Sequence, residues 1–132
     1  MARSSMQKQK LLYLRKIMLE KTDENHPATI AQLIEMLGEY GVTAERKALY
    51  KDINCLIDFG MDIVSVKSRS NSYYLGSREF ELPELKLLAD AVCSAKFLTE
   101  KKSKQLLNKI ESLASVYDGK LILYAVAICL FR

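Results

Sequence analysis

Arg46, Lys47, Tyr50, Lys51 and Asn54 have side chains whose types and spacing could do chemistry together. On a helix turning ~100° per residue they project across an arc of roughly 140°. Arginine and lysine neutralise phosphate oxygens or donate to guanine edges, and asparagine pairs bidentately with adenine. The face therefore suits double-stranded DNA, although most charged helix faces are simply solvated. Lys67 and Arg69 would add two cations if the fold brought them to the same side. Thr29 and Thr43 stand at the openings of two helical patterns and complete the candidate DNA-contacting set.

No catalytic constellation accompanies these residues. The chain lacks the GxSxG, P-loop, GxGxxG and HExxH patterns, so no enzyme, cofactor or metal is expected. His26 stands alone before Pro27, with no ligand partner at metal spacing, and is expected on the surface. Cys55, Cys93 and Cys129 are odd in number and widely spaced. They suit buried or idle thiols in a reducing, cytoplasmic setting.

The elements that would position the polar face follow from apolar periodicity. Ile30, Leu33, Ile34 and Leu37 fall at i, i+3, i+4 and i+7, one stripe of a helix. Glu39 to Val42 breaks the period, and Gly41 permits the left-handed backbone of a tight turn. Thr43 is the expected N-cap of a second helix over 43–59, whose stripe is Leu49, Ile53, Leu56 and Ile57. Two helices around a short turn make a helix-turn-helix. Upstream, a helix over about 5–21, with Leu11, Leu12, Leu14, Met18 and Leu19, would brace the pair. Residues 22–28 have the composition of a loop.

Gly60 is a suitable residue for ending the second helix. The β-branched stretch 61–67 and the stretch 72–75 are expected strands of a hairpin over 63–75, with the polar loop 68–71 between them. A hairpin placed after a helix-turn-helix, with Lys67 and Arg69 near its tip, is expected to act as a wing on the DNA backbone or minor groove.

Composition sets wider bounds. At 132 residues, 49% of them hydrophobic, the chain can fold as one domain or as a small domain with an appendage. A net charge of +4 permits nucleic acid without requiring it. Residues 1–21 hold six Lys or Arg against one Glu, so the basic excess is local. Arg15 and Lys16 interrupt the apolar run there and exclude a signal peptide.

The run ERKALYKDINCLIDFGMDI, followed by NSYYLGSREFELPELKLLADAVCSAKFLTEKKSKQLLNKI, resembles the N-terminal part of bacterial transcriptional regulators that carry a WYL domain. The resemblance covers about residues 5–115. It implies a DeoR-like winged helix-turn-helix, then a helical segment that links to a sensor domain and helps pair subunits. The family often has Gly where Ser72 stands, and Asn71 is the expected substitute for its positive φ.

The linker helices are expected from Pro83, with the stripe Leu85, Leu88, Ala89 and Val92, and from a Thr99 cap, with Leu106, Leu107, Ile110, Leu113 and Ala114. The resemblance then stops. No tryptophan is present for the family's name-giving tripeptide, which suggests a truncated product of a longer regulator. Residues 121–131 form an apolar run of eleven, too short to span a bilayer as a helix. This tail is expected either to fold back on the preceding helices or to form a subunit contact.

The expected architecture is thus mainly α with a small β-hairpin. A winged helix-turn-helix over 1–77 would be followed by a helical linker over 78–118 and an apolar tail over 119–132. The expected function is a sequence-specific DNA-binding transcriptional regulator, or its DNA-binding fragment, with a homodimer through 83–131 and no membrane. A winged-helix module for protein–protein contact is the alternative from another class.

Overall fold

The computed structural model describes residues 2–130, and the side chains described are those of residues 6–127. Arg3, Cys129, Phe131 and Arg132 therefore lie outside the described side chains. The chain is mainly helical with a small antiparallel sheet, and it forms two compact units, Met1–Ser77 and Arg78–Arg132.

In the first unit, helix α1 (Ala2–Lys21) contains no glycine or proline. It buries Leu14, Ile17 and Met18, with Lys10 one turn earlier on the same stripe. Leu12, expected in this stripe, is 66% exposed. It lies about 200° around the helix from both Lys10 and Leu14, too far to face the same core.

Strand β1 (Ala28–Thr29) leads directly into α2 (Ile30–Glu39). Ile30, Leu33 and Leu37 are buried, and each such side chain contributes about 1.5–3 kcal/mol. The helix closes on Gly41 at φ 75°. Gly41 N–H donates to Gly38 O and Val42 N–H to Leu37 O, the paired bonds of a Schellman ending. Val42 and Leu37 are both buried, which fixes the exit of the chain.

Helix α3 (Arg46–Phe59) buries Leu49, Ile53 and Leu56. Its core side joins α1 and α2 in one apolar cluster with Ile63. Gly60, at φ 123°, ends it through Gly60 N–H to Ile57 O and Met61 N–H to Leu56 O.

The hairpin β2 (Ile63–Val66) and β3 (Ser72–Leu75) follows, with Ile63 opposite Leu75 and Val66 opposite Ser72. The first strand is shorter than the expected 61–67. The sheet has three strands, in the order β1-β3-β2, because Ala28 and Thr29 pair antiparallel with Tyr73 and Ser72. The stretch 22–28, expected as plain loop, is thus tied at both ends. Thr22 Oγ1 donates to Met18 O at 2.7 Å and accepts from Leu75 N–H at 3.0 Å, which joins the end of α1 to β3. Asp23 and His26 form a β-bridge, and His26 Nδ1 lies 2.8 Å from Asp23 Oδ1. Among the described residues no non-glycine residue has a positive φ, so the turn does not use the left-handed conformation expected of Asn71.

The second unit consists of α4 (Leu82–Ser94), α5 (Glu100–Glu111) and α6 (Val116–Leu130). Pro83 stands in the first turn of α4, and Glu84 accepts from Glu81 N–H. Thr99 caps α5 by accepting from Lys102 N–H at 3.2 Å. The core holds Leu85, Ala89, Leu107, Ala114, Ile122 and Val126. Leu88 and Leu113, both expected in stripes, are exposed, and Leu113 lies beyond the end of α5.

Residues 119–130 are not a separate tail. Helix α6 begins before them, with the buried Ser115 accepting from Asp118 N–H, and it places Ile122 and Val126 in the core. Gly119 is inside this helix because α5 ends against it: an added Cβ would stand 2.9 Å from Glu111 Cγ. Among the described residues no helix is long and apolar enough to cross a membrane.

Candidate functional site

Packing of α3 sets which of its residues reach solvent. With Leu49, Ile53 and Leu56 turned inward, Arg46, Lys47, Lys51 and Asn54 are exposed and Tyr50 is half-buried. The Tyr50 ring meets Tyr73 of β3 edge to face, at 6.5 Å between centroids and 68° between planes. Burial, and then the neighbouring Tyr50, raise the Tyr73 hydroxyl above the usual tyrosine pKa. This contact ties the middle of α3 to the hairpin.

The exposed side of α3 is mixed in charge but mainly cationic, since Asp58, seven residues after Lys51, shares it. Among the described residues no carboxylate pairs with Arg46, Lys47, Lys51, Lys67 or Arg69. The other acid of α3, Asp52, turns the other way, and Lys10 Nζ of α1 lies 3.0 Å from its Oδ2. The contact is an ion pair and not an aligned hydrogen bond, since Oδ2 has no hydrogen-bond partner. That leaves Asp58 as the acid of α3 on the face that carries Arg46, Lys47 and Lys51.

Two grooves cut into the surface beside Tyr50. One, of about 330 Å³, lies among the start of α2, the start of α3 and the hairpin loop. Thr29, Arg46, Tyr50 and Arg69 line it together with Ala31, Ser70 and Asn71. The other, of about 350 Å³, runs between α3 and the sheet. Its walls include Tyr50, Asn54, Ile57, Ser65, Lys67, Asn71 and Tyr73. The fold thus brings Thr29, Arg46, Tyr50, Asn54, Lys67 and Arg69 around two adjoining grooves. Lys47 and Lys51 stand exposed on α3 but line neither groove.

Thr29 caps α2 in a capping box. Its Oγ1 accepts from Gln32 N–H at 3.2 Å, and Gln32 Oε1 accepts from Thr29 N–H at 2.9 Å. A hydroxyl that accepts still has its own hydrogen to donate, so the cap leaves Thr29 able to bind an anion. Thr43 has no such place. Helix α3 starts at Arg46 and not at 43; its N-cap is Glu45, with φ −101° and ψ 151° and no side-chain cap bond. Val42 is buried before it, and Thr43 is exposed between Val42 and Glu45 without lining either groove.

Several groove residues escape the sequence reading. Ile57, expected in the core stripe, is 42% exposed and lines the second groove. It stands seven residues after Tyr50 and three after Asn54, so helical spacing already placed it on their face. Ser65 and Tyr73 are register partners across the hairpin, which puts them on one side of the sheet. Ala31, Ser70 and Asn71 carry no local signal, because only the pairing of β1 with β3 brings the α2 start to the hairpin loop.

Comparison with protein-family models, curated proteins and solved structures returns no match.

Proposed function

We propose that the first unit is a winged helix-turn-helix that binds double-stranded DNA. The chain would then be a sequence-specific transcriptional regulator or the DNA-binding fragment of one. Helix α3 enters the major groove with Arg46 and Lys47 in its leading turn, Tyr50 and Lys51 behind them and Asn54 deeper. The hairpin lies on the backbone or minor groove through Lys67 and Arg69. The observation that carries this reading is the shared cleft: Arg46 and Tyr50 of α3 and Arg69 of the hairpin line one groove, with no paired carboxylate among the described residues.

The resemblance to WYL-domain regulators supports the same reading, and in that family the second unit would pair subunits. Selection of bound sites from a random DNA pool tests the proposal. A recurrent motif, enriched by the whole chain and lost on neutralising Arg46, is the expected outcome. Recovery of no motif at low salt counts against it.

A second reading has one observation in its favour. Ile57 is 42% exposed and Phe59 75% exposed near the end of α3. Apolar side chains there suit a protein-binding use of the same scaffold. Substituting Phe59 separates the two, since it lies beyond both grooves and should leave duplex binding intact.

A further inference from the structure

The two grooves meet at Tyr50 and Asn71 but differ in chemistry. The first is cationic and hydroxylic, with Arg46, Arg69 and Thr29 along it. The second has tyrosine and isoleucine walls, with Asn54 and Asn71 as side-chain amides. At about 330 and 350 Å³ each reaches the ~300 Å³ lower end of small-ligand pockets. Neither guanidinium is engaged by a carboxylate among the described residues.

A base stacked within a duplex presents its edges and hides its faces. An unstacked base offers a flat face to an aromatic ring and its pairing edge to amides. We propose that this surface also binds a single nucleotide unit outside a duplex. Its phosphate would sit in the first groove against Arg46 and Arg69, and its base in the second against Tyr50 and Tyr73. Asn54 and Asn71 meet the polar edge of the base, since each amide supplies both a donor and an acceptor. Such a unit occupies side chains assigned above to duplex reading, so nucleotide and duplex exclude one another. The inference shares a surface with that reading but does not rest on it, because nucleotide binding is measured with no duplex present.

The test uses the full chain and follows tyrosine ring resonances by NMR, assigned with Tyr50→Phe and Tyr73→Phe. The probes are nucleoside 5′-monophosphates, the matching nucleosides, inorganic phosphate and a short single-stranded oligonucleotide. The monophosphate or the oligonucleotide should shift both rings and bind at least about tenfold more tightly than nucleoside or phosphate alone. Arg69→Ala, in an exposed loop, should lose about tenfold in affinity with an unchanged circular dichroism spectrum. Shifts with the oligonucleotide alone assign the unit to a strand, and shifts with both admit a soluble nucleotide. Unmoved rings with either probe overturn the proposal, as does phosphate binding as tightly as the nucleotide. Unchanged affinity in Arg69→Ala also overturns it.

Discussion

Lys10 of α1 and Asp52 of α3 form an ion pair at 3.0 Å, with the lysine side chain 5% exposed and the carboxylate 20% exposed. The pair occupies a position in the α1 stripe where an apolar residue would serve for packing alone. It links α3 to α1 and engages Asp52, which helical spacing already places off the polar face. Losing one partner strands the other largely out of water. Lys10→Met should therefore destabilise the first unit by roughly 2–3 kcal/mol, and Lys10→Met with Asp52→Leu by much less. Urea denaturation of the single and double variants measures the coupling. Additive losses would show that the two side chains act independently.

On the proposed DNA-binding reading, base reading and phosphate binding would divide along α3. Arg46 and Asn54 line the grooves, whereas Lys47 and Lys51 project freely. Arg46→Ala or Asn54→Ala should cost about 1–3 kcal/mol and relax preference at one base position each. Lys47→Ala and Lys51→Ala should weaken all sequences alike. Repeating the site selection with each variant distinguishes the two classes. An unchanged motif in every variant would remove α3 as the reading element.

The hairpin acts by charge in this scheme. Removing both Lys67 and Arg69 should lower affinity on any duplex and reduce the slope of log affinity against log salt by about 1–2. Titrations at several salt concentrations measure that slope. The same slope in the parent and the double variant would make the hairpin a purely structural cover.

How far the sequence foretold this arrangement depends on how local each feature is. Helices α2 and α3 were legible because Leu33, Leu37, Leu49 and Ile53 repeat at helical spacing and Gly41 and Gly60 punctuate them. The two-residue strand β1 was not, since its identity comes from pairing with Ser72 and Tyr73 more than forty residues later. Helix α6 resembles a tail in the sequence because its apolar run offers little polar contrast and Gly119 looks like a break. Yet Ser115 followed three residues later by Asp118 is a helix-start signal. Of the candidate site, the α3 face was readable from spacing, but its junction with the α2 start and the hairpin loop needed the folded sheet.

Tyr73 gives a pH signature. Its hydroxyl ionises above the usual tyrosine value, because burial and Tyr50 disfavour the phenolate. The unfolded chain ionises this group first, so its contribution to stability is complete below the unfolded value of 10.0 and is lost as pH rises through the folded one. The difference between ultraviolet titrations of the folded chain and of Tyr73→Phe should give this group a midpoint above 10.0. A Tyr73 midpoint at or below 10.0 would contradict the burial of its hydroxyl.

Assembly turns on the second unit. A winged helix-turn-helix contacts one half-site, and specific operators are usually read by two-fold dimers. Helix α6 keeps Ile122 and Val126 for its own core and exposes Leu121 at 52% and Tyr124 at 75%. Three residues apart, these two share one face of the helix. At ~25 cal/mol per Å², burying a few hundred Å² of such surface is worth several kcal/mol before ordering costs. Deleting 119–132 is a poor test, since it removes core residues and would unfold the unit. Leu121→Glu with Tyr124→Glu leaves the core intact and places two like charges on the face. Sedimentation equilibrium should show a dimer for the parent and a monomer for the double variant, with thermal unfolding of the variant still cooperative. If the parent sediments as a monomer, α6 is not the subunit contact and half-site pairing must come from the DNA. If both sediment as dimers, the contact lies on another surface, with exposed Leu87 of α4 and Phe97 after it the next residues to substitute.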